Sequence, residues 1–202
     1  GKPCGLMDQM ASAVGGAIFI DFADMEKPVI QKLRADFAGY ALCIIDSGGD
    51  HADLTPEYAA ITDEMQRIAS HFGQTCLRRV DEAAFFSAFA QLRQAYGDRA
   101  VLRAAHFFME NERAQQQLRA LEQGDYPALF RLMRASGRSS SMYLQNIYPG
   151  GQARRQALNI ALLVCEHLLG GKGAYRVHGG GFAGTVQAFV PAQDAGTFRL
   201  QC

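Results

Sequence analysis

The 202-residue sequence lacks an excess of either charge: twenty Lys and Arg offset twenty Asp and Glu, for a pI of about 7.1. No general field therefore draws the chain toward nucleic acid or an anionic membrane surface. Arg134, Arg138, Arg154 and Arg155 are small basic spots, read as solvated helix faces. Paired cysteines are also lacking. Cys4, Cys43, Cys76, Cys165 and Cys202 are odd in number and widely spaced, without the C-x-x-C pairing of a zinc site, so no metal ligand set is assigned and a reduced cytoplasm is the expected setting. Cys43 and Cys165 lie in apolar runs and are expected in the core. No apolar run has the length and flanks of a membrane span. No internal repeat, low-complexity run or long linker is present. The absence of a Gly-x-Ser-x-Gly elbow excludes the hydrolase that His178-Gly179-Gly180-Gly181 would otherwise suggest. Neither an initiator Met nor a signal peptide opens the chain, and the expectation is a fragment of a longer protein.

What is present is the material for a folded core, with 49% hydrophobic residues. Leu6, Met7, Met10, Ala11 and Val14 recur at the i, i+3, i+4, i+7 spacing of an amphipathic helix that ends near Gly15-Gly16. Short strands are expected over 17–22 and 28–33 around a polar turn, and a buried strand over 40–46 that ends in a glycine turn, 47–50. A helix with Thr55 as cap and Pro56 at its first position follows to about His71, with Ala60, Ile61, Met65, Ile68 and Phe72 as its apolar stripe. Further helices are expected over 82–95, 99–122, 126–135 and 152–169, then paired strands over 174–177 and 185–191, and an edge strand over 197–200. This order predicts an α+β fold: a split βαβ layout in which an antiparallel sheet carries helices on one face. The domain boundary is placed between residues 39 and 40, giving segments 1–39 and 40–202.

The helix opening the chain places Asp8 in its first turn, where the dipole and unpaired backbone N–H groups hold a carboxylate ionised. Taken alone, that position also suits a carboxylate that only favours the dipole. The glycines at 179–181 permit positive φ and leave backbone N–H groups open to an anion, although a lone glycine run also suits a tight turn. Ser139, Ser140 and Ser141 lack a preceding strand and glycine turn and are read as a polar loop between helices. His51, in the glycine turn close to Tyr58, suits either a substrate-side role or, as the preferred reading, a solvent-facing turn residue, and His71, His106 and His167 are read as helix residues without a ligand role.

Four stretches, in order along the chain, resemble galactokinases of the GHMP kinase family. Lys2-Pro3-Cys4-Gly5-Leu6-Met7-Asp8-Gln9 resembles the family's PCG[IL]MDQ segment. The run from Asp46 to Leu54 with Pro56-Glu57-Tyr58 resembles the segment in which a strand leaves the sheet and a Tyr reaches the sugar. The stretch around Glu110, Asn111, Arg113 and Ala114, with Gly124-Asp125-Tyr126, resembles paired helices whose role is mostly structural. Arg176 to Thr185 resembles the glycine motif GAGFGG, departing from it at Gly180 and Ala183.

The resemblance implies the C-terminal domain of such a kinase, with residues 1–39 as the tail of its N-terminal domain. It implies Asp8 as the catalytic carboxylate facing the anomeric hydroxyl, Gly5, Asp8 and Tyr58 as substrate contacts, and Gly179, Gly180 and Gly181 at the phosphate side of the cofactor. The implied substrate is galactose and the implied cofactors are ATP and Mg²⁺, both held mainly by family motifs that residues 1–202 do not contain, so the chain alone is expected to be inactive. Its unpartnered N-terminal strands are expected to favour self-association. Two alternatives stay open: a kinase of this fold acting on another small metabolite, and a regulator that binds galactose without chemistry.

Overall fold

The computed structural model describes residues 6–24, 26–37, 39–49 and 54–202. The chain runs through α1 (Met7–Val14), β1 (Ala17–Asp21), β2 (Val29–Leu33), β3 (Tyr40–Asp46), α2 (Thr55–His71), α3 (Glu82–Ser87) and α4 (Phe89–Tyr96). It continues through α5 (Asp98–Glu122), α6 (Tyr126–Ser139), α7 (Ala157–Leu169), β4 (Ala174–Val177), β5 (Thr185–Pro191) and α8 (Ala195–Gln201). Short 3₁₀ turns lie at Leu77–Arg79 and Ala192–Asp194, and a π-helical turn at Ser140–Leu144.

The main sheet has the order β3-β5-β4. β5 pairs antiparallel with β3 from Tyr40↔Pro191 to Asp46↔Thr185 and antiparallel with β4 from Ala174↔Phe189 to Val177↔Val186. β3 and β4 are thus parallel to each other with β5 between them, which is the split βαβ arrangement, and α2 to α7 form the long connection. The fold is α+β, as the sequence predicts.

Helices cover both faces of this sheet rather than one. Val186, Ala188 and Val190 of β5, with Cys43 and Ile45 of β3, pack against Leu158, Cys165 and Leu169 of α7. Phe189 and Ala174 point the opposite way and pack on Leu129, Phe130 and Met133 of α6, with Phe37 and Tyr40 alongside. The physical reason lies in the strand period of two: β5 is apolar at nearly every position, as a strand buried on both faces must be. A third core joins α2 to α5, built on Ile68, Leu77, Phe85, Leu92, Val101 and Phe108.

β1 and β2 form a separate two-stranded antiparallel sheet, from Ala17↔Leu33 to Asp21↔Val29. It lies beside α5, where Gln31 Nε2 donates to Glu122 Oε1 at 2.6 Å, and beside the 3₁₀ turn Leu77–Arg79, where Arg78 pairs with Asp21 at 3.4 Å. Val29 is 64% exposed, Leu42 59% and Ile44 51%, leaving apolar surface on β2 and on the α6 side of β3 uncovered.

Several local expectations change. The segment expected as an edge strand over 197–200 is the helix α8, because Ala195 and Phe198, three residues apart, are the positions that reach the core. The helix expected over 82–95 is two helices meeting at Ala88, the first capped by Asp81, whose side chain accepts from Ala84 N–H. The serine stretch is not a loop. α6 runs to Ser139 and continues into the π-helical turn: Ser136, Ser139 and Ser140 are buried rather than solvated, with Ser136 and Ser139 bonded to other polar side chains and Ser140 Oγ without a hydrogen-bond partner. α7 starts at Ala157, with turns ahead of it, and α2 is entered from Leu54, without a capping bond from Thr55.

Candidate functional site

Three stretches of the chain meet at one end of the main sheet. Beyond β3, Ser47 N–H and Oγ both donate to Gly184 O, at 2.9 and 2.6 Å. At the start of α2, Tyr58 lies across the glycine loop, its hydroxyl donating to Gly181 O at 2.8 Å and its ring edge-on to Phe182 at 5.3 Å. Leu54, Phe182 and Ala183 form a small buried cluster with Tyr58 and Ile61 packed against it. Burial raises the Tyr58 phenol above its ordinary pKa, so it stays protonated at neutral pH.

A fourth element, Asn146, clamps the loop from behind. Its Nδ2 donates to Gly180 O at 3.1 Å, its backbone O accepts the Phe182 N–H, and its Oδ1 is buried without a hydrogen-bond partner. Phe182 is held in this grip at φ +63°, a left-handed conformation that costs a bulky residue energy.

These contacts explain the glycines individually. A Cβ at Gly180 would stand 2.7 Å from Tyr58 Cε1, and a Cβ at Gly181 would overlap the Asn146 backbone O. Gly179 has open space around it but sits at φ +74°, which L side chains rarely adopt. His178 closes the base of the loop, its N–H donating to Thr185 O at 2.9 Å. Ala183, where the resembled motif has glycine, faces Gly49 of the turn after β3: a Cβ there would lie 3.4 Å from the Ala183 methyl.

Behind the loop a buried polar network joins β4 to α5 and α6. Arg176 donates to Ser136 Oγ at 2.6 Å and pairs with Glu110 at 3.6 Å, while Glu110 also bonds Ser136 and Arg113. His106 Nδ1 lies 2.8 Å from Ser139 Oγ, and burial lowers its pKa, with Glu110 opposing. A second network ties α2 to α5. Glu64 accepts from Arg99 at 2.6 Å and from the fully buried Arg103 at 2.8 Å, and Arg103 also donates to Leu144 O at 3.0 Å. Glu57 Oε1 accepts the Gly150 N–H at 2.9 Å, at the edge of a groove of about 460 Å³ that also contains Arg99, Arg103 and Tyr148.

The structure thus brings Tyr58, the turn after β3 and Gly179 to Gly181 together. Asp8 occupies the first turn of α1 as expected and is exposed there, and α1 packs on β1 of the small sheet. Gly5, Cys4 and His51 lie outside the described residues. The Glu110 stretch serves as structure, with Glu110 in the buried network and Asp125 capping α6 by accepting from Ala128 N–H at 2.9 Å. Asn146 escapes sequence reasoning because a single Asn between Gln145 and Ile147 carries no periodic or motif signal.

A split βαβ domain with a glycine loop braced by a tyrosine defines the class. The crystal structure of Lactococcus lactis galactokinase complexed with galactose has a similar main-chain path, superposing with a TM-score of 0.66 at 21% identity, over 87% of this chain and 43% of that one. Galactokinase of Actinobacillus pleuropneumoniae serotype 3 is 32% identical over 199 residues, which is 98% of this chain and 50% of that protein. Galactokinase of Haemophilus influenzae is 29% identical over 205 residues, and that of Thermotoga petrophila 30% over 189. No family model matches the chain. The chain is homologous to galactokinases along almost its whole length and spans about half the length of the curated relatives it matches.

Proposed function

We propose that these residues are the C-terminal part of a galactokinase, which transfers the γ-phosphoryl group of ATP to the 1-hydroxyl of α-D-galactose. The observation that carries this reading is the seating of Tyr58 on Gly180 and Gly181, which puts the sugar-side tyrosine and the phosphate-side glycines of the resembled motifs in direct contact.

In this reading Asp8 takes the proton of the 1-hydroxyl as that oxygen bonds to the γ-phosphorus and the bond to the leaving ADP breaks. Gly5 and Tyr58 shape the sugar pocket. Because the Tyr58 proton is already donated to Gly181 O, a sugar hydroxyl meeting that oxygen must itself be the donor. The glycine loop fits a phosphate: Gly179 and Gly180 are exposed, and their N–H groups have no backbone acceptor among the described residues. ATP supplies the phosphoryl group with its Mg²⁺, and no residue of this chain is assigned to the metal.

The division between 1–39 and 40–202 belongs to the same proposal, supported by the separation of the β1–β2 sheet from the main sheet. So does self-association of the isolated chain, supported by exposed Val29, Leu42 and Ile44. A cytoplasmic setting is supported by the four described cysteines, all free, and no described helix is long and apolar enough to cross a membrane. The test is Asp8→Asn in the full-length chain, with ADP release and galactose binding measured side by side. Loss of nearly all turnover with binding retained supports the assignment, and unchanged turnover removes Asp8 from it.

A further inference from the structure

The peptide that joins Gly180 to Gly181 has a glycine on each side. A peptide flip changes ψ of the first residue and φ of the second, and with no Cβ at either, sterics leave both orientations open. A side chain from outside the loop makes the choice. Asn146, only 2% exposed, donates from Nδ2 to Gly180 O at 3.1 Å and so draws that carbonyl toward the interior. The next peptide is gripped at both edges, its Phe182 N–H bonded to Asn146 O and its Gly181 O to the Tyr58 hydroxyl. Only the bond from Asn146 Nδ2 holds the Gly180 carbonyl among the described residues.

Stability alone does not account for an asparagine at this position. Its Oδ1 is buried without a hydrogen-bond partner, an arrangement that costs free energy and that leucine, branched in the same way, would not incur. The backbone that delivers Asn146 is strained as well. Gln145, directly after the π-helical turn Ser140–Leu144, sits at φ +57°, and Phe182 sits at +63°. Among the described residues these are the non-glycine residues with positive φ, and they flank the two chain segments that Asn146 ties together. Strain of this kind persists where the surroundings over-determine it, and it gathers at functional sites.

We propose that Asn146 is a positioning residue for the nucleotide phosphates, acting through the Gly180 carbonyl. The inference rests on the kinase reading above. With that carbonyl turned inward, the exposed Gly179 and Gly180 present N–H groups to an incoming anion with no opposing dipole beside them. With the peptide flipped, the Gly180 oxygen would turn outward and repel the phosphates. Asn146 itself stays buried and contributes no charge, so its influence falls on nucleotide binding rather than on the proton transfer assigned to Asp8.

The test is Asn146→Leu in the full-length chain, with melting temperature, kcat and the KM values for ATP and galactose measured beside wild type. Leucine removes the Nδ2 donor and the unpaired Oδ1 together, so the melting temperature should stay within a few degrees of wild type. The KM for ATP should rise about tenfold, the worth of one hydrogen bond to a charged group, while kcat and the KM for galactose change by less than about twofold. If leucine prevents folding, Asn146→Ala, which introduces no clash, carries the same expectation for the two KM values. An unchanged KM for ATP overturns the proposal. So does a parallel loss in kcat and both KM values with a lowered melting temperature, which is the mark of a merely structural residue. Wild type without galactose-dependent turnover is a different result: it removes the kinase reading itself, and this inference with it.

Discussion

Gly180 and Gly179 neighbour each other but are small for different reasons, and substitution separates them. A methyl group at 180 would meet the Tyr58 ring at 2.7 Å, so Gly180→Ala should cost about 1–3 kcal/mol by overpacking and displace the tyrosine. Gly179→Ala meets open space and should cost only the price of positive φ, about 1–2 kcal/mol. Urea midpoints of the two variants, with the assigned Tyr58 ring NMR signals as a local probe, distinguish the cases; equal loss with an undisturbed tyrosine would contradict the packing account. His106 gives a pH dependence. Its folded pKa is depressed, chiefly by burial, below the unfolded value of 6.5, with Glu110, Arg113 and Arg176 as the charged neighbours. The unfolded state therefore takes up a proton first, and stability present above that pH is lost as pH falls through it. Melting curves at neutral and acid pH should show a larger drop for wild type than for His106→Gln. At this scale the glycine run and the helix-start position of Asp8 were legible from local chemistry, whereas Tyr58 was singled out by the family resemblance alone. Asn146 and Arg176 were not, since their roles come from partners far along the chain.

Helices and strands were legible where apolar periodicity is strong, as in β3, β5, α5 and the body of α2. The misread elements share one cause: burial by distant partners overrode local composition. Ser136 and Ser139 look like loop residues, yet Glu110 and Arg176 bond the first and His106 the second inside the protein. The sequence 195–201 is short enough to suit strand or helix, and its contact with the α7 side of the sheet decides for helix. Two substitutions test what holds elements together. Glu64→Ala removes the partner of buried Arg103 and the link between α2 and α5, and should cost about 3–5 kcal/mol by chemical denaturation. Asp125→Ala removes only the α6 cap and should cost about 1 kcal/mol. A loss at Glu64 no larger than at Asp125 would mean that Arg103 finds solvent or another partner.

For the molecule as a whole, the split βαβ layout followed from element order, whereas helices on both faces did not, because order alone leaves the face of each helix open. Val29, Leu42 and Ile44 leave apolar surface uncovered among the described residues. The isolated 202 residues should therefore self-associate, with an average mass by light scattering that rises with concentration; a monomer throughout would show that this surface tolerates water. The central claim concerns chemistry, and galactose-dependent ADP release by the full-length chain tests it most directly. The account predicts turnover that requires galactose and is almost abolished by Asp8→Asn. Absence of galactose-dependent ADP release from the intact, folded protein would contradict it.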